Sequence, residues 1–255
     1  MAAAPANDMT LVGYAQSVNT GNVLTNFNAL ADPHIRVEGV NIIVPELNNI
    51  AWAFACGASI TEARISSPSI LRVFEHTISP LNVGAEPVSP TPFADMSENP
   101  IPLVVSEALR ARMRGSETAA EYKVMLLLLT RGPIAPVKAP YRTIRATSST
   151  TLTPYAWTNG SLSFDQTLPA GNYQVIGMRA QSAGLIAARL VFPGYPWRPG
   201  VIGYDAISDV EPLRFRFGNM GVFGTFRHDA PPTVDFLSSS ADTSEEVWLD
   251  LVGPL

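Results

Sequence analysis

The chain has 255 residues and a net charge of −5, with 46% of its residues hydrophobic and only 15% charged. That length suits one large β domain or two of about 125 residues, and a charge balance without any block of like charge excludes a basic nucleic-acid stripe, so no sequence-specific nucleic acid partner is expected. The single cysteine, Cys56, excludes a disulfide framework and a thiolate metal cluster.

Residues 1–8 offer almost nothing large and apolar and are expected to be flexible. The start, MAAAPANDM, lacks the basic and long apolar regions of a signal peptide, and no apolar run reaches the length of a bilayer span. The expectation is a protein made and kept, or assembled, in the cytoplasm. The 22 prolines and 18 glycines are spread along the chain, as in sandwiches and barrels of many short strands. Residues 10–18 read as a first strand, turned by Asn19-Thr20-Gly21-Asn22. Residues 35–44 alternate apolar and polar, and the slip of phase at Gly39 predicts a bulge. Residues 50–65 read as a hairpin, with Cys56 a small buried hydrophobe, and residues 70–78 as a further strand.

Residues 80–102 contain six prolines and predict a long irregular loop of the functional or interfacial kind. The segment SEALRARMR at 106–114 reads as one short helix. Ser106 would cap it, Glu107 would sit near its positive end, Arg110, Arg112 and Arg114 toward its negative end, and Gly115 would stop it. Residues 131–140 form a proline-rich linker, which sets the expected domains at 1–133 and 134–255. Beyond it, 141–152 predict a strand, Thr158-Asn159-Gly160-Ser161 a hairpin turn, and 168–193 a second hairpin. Residues 213–217 and 222–226 predict strands around a glycine-rich turn, and 233–237 and 247–252 close the set.

The second half echoes the first. Pro45 and Asn48 answer Pro169 and Asn172, and Ala58, Arg64 and Pro68 answer Ala183, Arg189 and Pro193, all at an offset of about half the chain. Thr118 and Glu121 before the apolar run 124–129 answer Thr243 and Glu246 before 247–252. Two echoes in the same order predict a tandem duplication.

The sequence carries few residue patterns that point to chemistry. The three histidines, His34, His76 and His228, form no metal-binding spacing, and no nucleophile elbow or phosphate loop occurs. No catalytic residue, cofactor or metal site is therefore assigned. Asp242, Glu245 and Glu246, or Asp205 and Asp209, could join Asp235 around calcium, but their spacing matches no defined loop. Glu62 and Glu75 would suit a glycosidase pair only if the fold joined them. The aromatics Tyr155, Trp157, Tyr195 and Trp197 lie near predicted loops, where they would serve core packing, a protein interface or a sugar platform.

Two successive eight-stranded β units, carried by the repeated segments 44–68 and 168–193 and by the glycine-rich stretch 217–231, resemble the double-jelly-roll major capsid proteins of icosahedral viruses and bacteriophages with an internal membrane. The resemblance implies an all-β fold, two tandem jelly-roll sandwiches with the one short helix. It also implies a structural protein that is not an enzyme and needs no cofactor: a homotrimer tiling a virion shell as pseudo-hexagonal capsomers, assembled in the host cytoplasm. Its partners would be neighbouring capsomers, minor capsid or penton proteins and an internal lipid membrane, with Arg110, Arg112 and Arg114 on the inner face. The alternative is a two-domain β-sandwich that binds carbohydrate or a receptor, as a spike or lectin does. A two-jelly-roll hydrolase is a third reading.

Overall fold

The computed structural model describes residues 8–82, 94–205 and 221–255. They form two compact units, an N-terminal one of residues 11–82 and 94–133 and a C-terminal one of residues 8–10, 134–205 and 221–255. The N-terminal unit holds β1 (Met9–Val18) from Leu11 onward, β2 (Thr25–Asn26), β3 (Val37–Glu38), β4 (Asn41–Ile43), β5 (Asn49–Gly57), β6 (Ile60–Ser66), β7 (His76–Ile78), β8 (Ala94–Asp95), β9 (Ile101–Pro102), β10 (Ala108–Gly115) and β11 (Glu121–Thr130). The C-terminal unit holds β12 (Arg142–Ser148), β13 (Thr158–Gly160), β14 (Ser163–Phe164), β15 (Asn172–Ser182), β16 (Leu185–Val191), β17 (Gly200–Ile202), β18 (Tyr204–Asp205), β19 (Gly224–Arg227), β20 (Thr233–Ser238) and β21 (Glu245–Val252).

The strand order is the same in both units. In the N-terminal unit one sheet runs β1-β11-β5-β8, with β9 also on β5, and the other runs β4-β10-β6-β7, extended by β3 and β2. In the C-terminal unit one sheet runs β12-β21-β15, with β19 on β15, and the other runs β13-β20-β16-β17. Numbered within a unit, each first sheet takes the first, last, third and sixth places, and each second sheet the second, seventh, fourth and fifth. This is the order that two Greek keys impose on an eight-place jelly roll. The fold is all-β, two jelly-roll sandwiches in tandem along the chain.

Burial explains why these segments are strands. β5 and β11 are buried along nearly their whole length, so they read as continuous apolar runs, NIAWAFACG and EYKVMLLLLT. They pair antiparallel from Lys123 on Gly57 to Thr130 on Asn49. β10 instead alternates, with Leu109, Ala111 and Met113 buried and Arg110, Arg112 and Arg114 turned outward.

That alternation overturns the expected helix at 106–114. Among the described residues the helical structure is one 3-10 turn, Ile70–Arg72, so most of the expected strand at 70–78 is lost as well. A period of two along Leu109-Arg110-Ala111-Arg112-Met113-Arg114 outweighs helix-forming composition, because only a strand puts all three apolar side chains into the core. Ser106 does not cap a helix; it sits at φ 69° in the loop before β10.

Three other expectations change. The segments 50–65 and 168–193 are not hairpins: β5 and β6 lie in opposite sheets, as do β15 and β16, so each turn carries the chain across the sandwich. The turn expected at Asn159-Gly160 is instead strand β13, paired with β20 through Thr158 on Phe236 and Gly160 on Val234. Gly39, at φ 60°, lies in the two-residue turn between β3 and β4 and is not a bulge. The expected strand 213–217, Asp209 and most of the expected flexible start lie outside the described residues.

Candidate functional site

Among the described residues no clustered catalytic group stands out, so the candidate surfaces are those with exposed, organised or buried polar chemistry. The three arginines of β10 lie on the outward face of the second sheet, across from β6. Arg112 pairs Glu75 at 2.7 Å, and Arg114 pairs Glu62 at 2.7 Å. Arg64, on β6, bonds Glu62 through Nε at 2.6 Å and Glu75 at 3.1 Å. Arg110, further along, donates to the Asn41 side chain at 2.7 Å. The structure thus joins Glu62 and Glu75, the imagined glycosidase pair, through Arg64. Burial works against the charge of Glu75, but Arg112 and Arg64 outweigh it and hold its carboxyl below the usual range. A glycosidase acid needs the opposite shift, and the arginines draw both carboxylates into one ion network.

In the C-terminal unit one of the four aromatics, Trp157, packs on a buried cluster. Arg189 on β16 is fully buried and bonds Asp235 on β20 at 3.0 Å, its neighbour in register. Arg198 approaches the same carboxylate oxygen at 3.7 Å, and Asn159 on β13 donates to the other at 2.8 Å. Trp157 lies under the Arg189 guanidinium, 4.1 Å from ring centroid to carbon, a cation–π contact. Tyr155 holds the edge of β20 through its amide, 2.7 Å from the Ser238 carbonyl. Tyr195 donates to Asp8 at 2.6 Å, and half-buried Trp197 precedes Arg198 in the same loop. Trp157 therefore spends a ring face on a protein cation, which a stacked sugar would need free.

The acidic residues near the end of the chain are dispersed into separate tasks. Asp242 accepts from the Ser182 hydroxyl, the Ala183 amide at 3.2 Å and the Thr243 amide at 2.8 Å, and so fastens the turn between β15 and β16. Glu246 pairs with Arg145, while Asp235 is taken by the cluster above. Glu245 is fully buried beside a hollow of about 460 Å³ lined by Ser148, Ser161, Ser163 and Ser244, and burial pushes its carboxyl up. Among the described residues no three His, Cys, Asp or Glu side chains are grouped to hold a metal ion.

A buried ion pair unnoticed in the sequence closes one end of the N-terminal unit. Glu117, after β10, meets Lys123 of β11 at 2.9 Å, both side chains having no exposure, and accepts from the Thr20 amide at 2.7 Å. Gly115 leaves room for this, since a Cβ there would stand 2.1 Å from the Glu117 carboxylate and 2.6 Å from the Ser59 carbonyl. The only sequence signal was a lone Lys directly before the apolar run 124–129, a place that demands a partner once the strand is buried.

The fold defines a class, proteins built of tandem jelly-roll sandwiches. Compared with family profiles and with curated proteins, the chain matches none. Among solved structures it is similar to the major capsid protein P2 from bacteriophage PM2, at 9% identity over 95% of this chain and 97% of that one, with a TM-score of 0.24. An overlap that low adds nothing to what the strand order already establishes.

Proposed function

We propose that the chain is a structural subunit of a virion shell, a major capsid protein that trimerises into pseudo-hexagonal capsomers. The observation that carries this reading is the repetition of one jelly-roll strand order in both units of a single chain. Three such chains in a closed ring supply six similar sandwiches, a nearly six-sided unit suited to tiling a hexagonal lattice. Ring closure uses heterologous contacts, each chain offering one surface to the next. The low charge of the chain suits a protein whose flanks are covered by copies of itself. Its working place would be the virion, after assembly in a host cell, and neighbouring capsomers and minor shell proteins would be its partners.

The arrangement of groups supports a role without chemistry. Glu62 and Glu75 are neutralised by arginines, and Asp235 and Glu117 are locked in buried pairs. Electron microscopy of the concentrated full chain tests the proposal. It predicts six-sided particles, sheets of them or closed shells; uniformly dispersed single chains would overturn it.

A further inference from the structure

A hollow of about 460 Å³ lies in the C-terminal unit where the end of β12 meets β14 and the start of β21. Strand register builds it. Thr147 lies opposite Glu246 on β21 and opposite Ser163 on β14, so these three side chains share one face of the sheet. Ser148 and Glu245, the next pair along, turn to the other face. The segments before β14 and β21 add Ser161 and Ser244.

Its lining is uncommon. Small-molecule sites of about 300–1,000 Å³ are lined mostly by apolar and aromatic side chains with a few polar groups. Here Ser149, Ser161, Ser163, Thr243 and Ser244 stand exposed around the hollow. Among the described residues that line it, Leu162 is the one apolar side chain, and none is a lysine, an arginine or an aromatic. Glu245 lines it with no exposed surface of its own, and neither of its carboxyl oxygens meets a hydrogen-bond partner among the described residues. Burial pushes that carboxyl up, offset only in part by its own amide and the nearby Ser148 hydroxyl. The other acids here are committed: Glu246 to Arg145, and Asp242 to the Ser182 hydroxyl and the amides of Ala183 and Thr243. A buried polar group without a partner costs stability, so one kept beside an open hollow marks a place for a ligand.

We infer that this hollow binds a neutral saccharide ring, whose hydroxyls bond the serine and threonine hydroxyls and supply the partner that Glu245 lacks. The lining selects against other ligands. An anion finds no cation among the lining residues. A cation needs an ionised carboxylate, and burial disfavours that charge on Glu245. An apolar ligand finds a single leucine. Serine and threonine hydroxyls both donate and accept, as the hydroxyls of a sugar do. The inference goes beyond the shell reading and stands on this hollow alone.

Saturation-transfer NMR of the full chain with glucose, galactose and N-acetylglucosamine tests it, with cyclohexanol as a ring of like size bearing one hydroxyl. Transfer is expected to at least one of the saccharides and not to cyclohexanol, because a site built on hydrogen bonds rejects a ligand that leaves them unmade. Ser163→Leu fills the hollow and should abolish the binding. Glu245→Leu should weaken it about three- to tenfold, the worth of one hydrogen bond, and Glu245→Gln, which keeps a donor and an acceptor, should restore it. Ser163 is exposed, so an unchanged urea midpoint would confirm that its variant is folded. No transfer to any of the three saccharides, equal transfer to cyclohexanol, or equal binding by Ser163→Leu overturns the inference. Calcium that shifts the amide signals of Ser148, Ser163 and Ser244 where the saccharides do not would overturn it too, and would assign the hollow to a cation. Trimers that form without saccharide binding would defeat this site and leave the shell reading standing.

Discussion

Arg64 and Arg189 occupy the same place in the two units, each the fifth residue of the seven-residue strand that follows the turn across the sandwich. Each bonds a carboxylate on the outward side of the second sheet, but the environments differ. Arg64 has Arg112 as its register neighbour on β10, so its carboxylates come from Glu62 and Glu75, and its side chain is 34% exposed. Arg189 has Asp235 as register neighbour on β20 and is fully buried.

This difference predicts unequal costs. Asp235→Ala withdraws the carboxylate from a buried guanidinium and should destabilise the chain by about 3 kcal/mol. Arg64→Ala, in a half-exposed network, should cost less than about 1 kcal/mol. Urea unfolding midpoints of the two variants check the contrast, and equal shifts would contradict it.

Glu117 predicts a loss of stability in acid. Burial opposes its charge, but the Thr20 amide and then the Lys123 ammonium prevail, and its carboxyl is held down from 4.5 to about 2. A depressed carboxyl contributes stability that is complete above its unfolded value of 4.5 and is lost as pH falls toward about 2. Glu117→Gln should flatten that dependence and, by stranding buried Lys123, cost about 3 kcal/mol at neutral pH. Gly115→Ala, which drives a methyl into the same carboxylate, should cost about 1–3 kcal/mol. Unfolding followed at pH 3, 5 and 7 separates these effects.

Glu245 predicts the reverse sign. Burial raises its carboxyl, so the folded chain holds that proton to higher pH than the unfolded chain does. Its contribution is therefore greatest in acid and declines as pH rises through the unfolded value toward the folded one. Glu245→Gln should stabilise the chain at neutral pH, by about 1 kcal/mol, and should do little in acid. A variant less stable than the wild-type chain at neutral pH would refute this.

Glu107 accepts from the Ser69 amide at 2.9 Å and the Val104 amide at 3.0 Å, and so joins the loop between β6 and β7 to the loop between β9 and β10. Glu107→Ala should release these two loops without unfolding the sandwich. Amide hydrogen exchange should quicken within residues 67–75 and 103–107, with β5 and β11 unchanged and a global cost of about 1–3 kcal/mol for the amides left without their acceptor. Faster exchange throughout the unit would show that the carboxylate supports the core instead.

The repeat was legible because its strands are buried on both faces, which writes apolar runs into β5 and β11 and a mostly apolar stretch into β15. The echo of Arg64 in Arg189 fell on matching strands for the same reason. What the residues concealed was partnership across distance. A turn within one sheet and a turn between sheets use the same glycines and polar residues, so 50–65 looked like a hairpin. Ser106, Glu107 and the arginines carried the composition of a helix, and the period of two beneath it was short. The partners of Glu107 and Asp235 lie 38 and 46 residues away, where no local pattern links them.

The mass of the purified full chain in solution, followed by light scattering over a wide concentration range, bears most directly on the shell reading. One chain weighs 27.4 kDa. A shell subunit should give a species of three chains that persists on dilution, or larger closed particles built from it. A single chain that stays single at every concentration would contradict it.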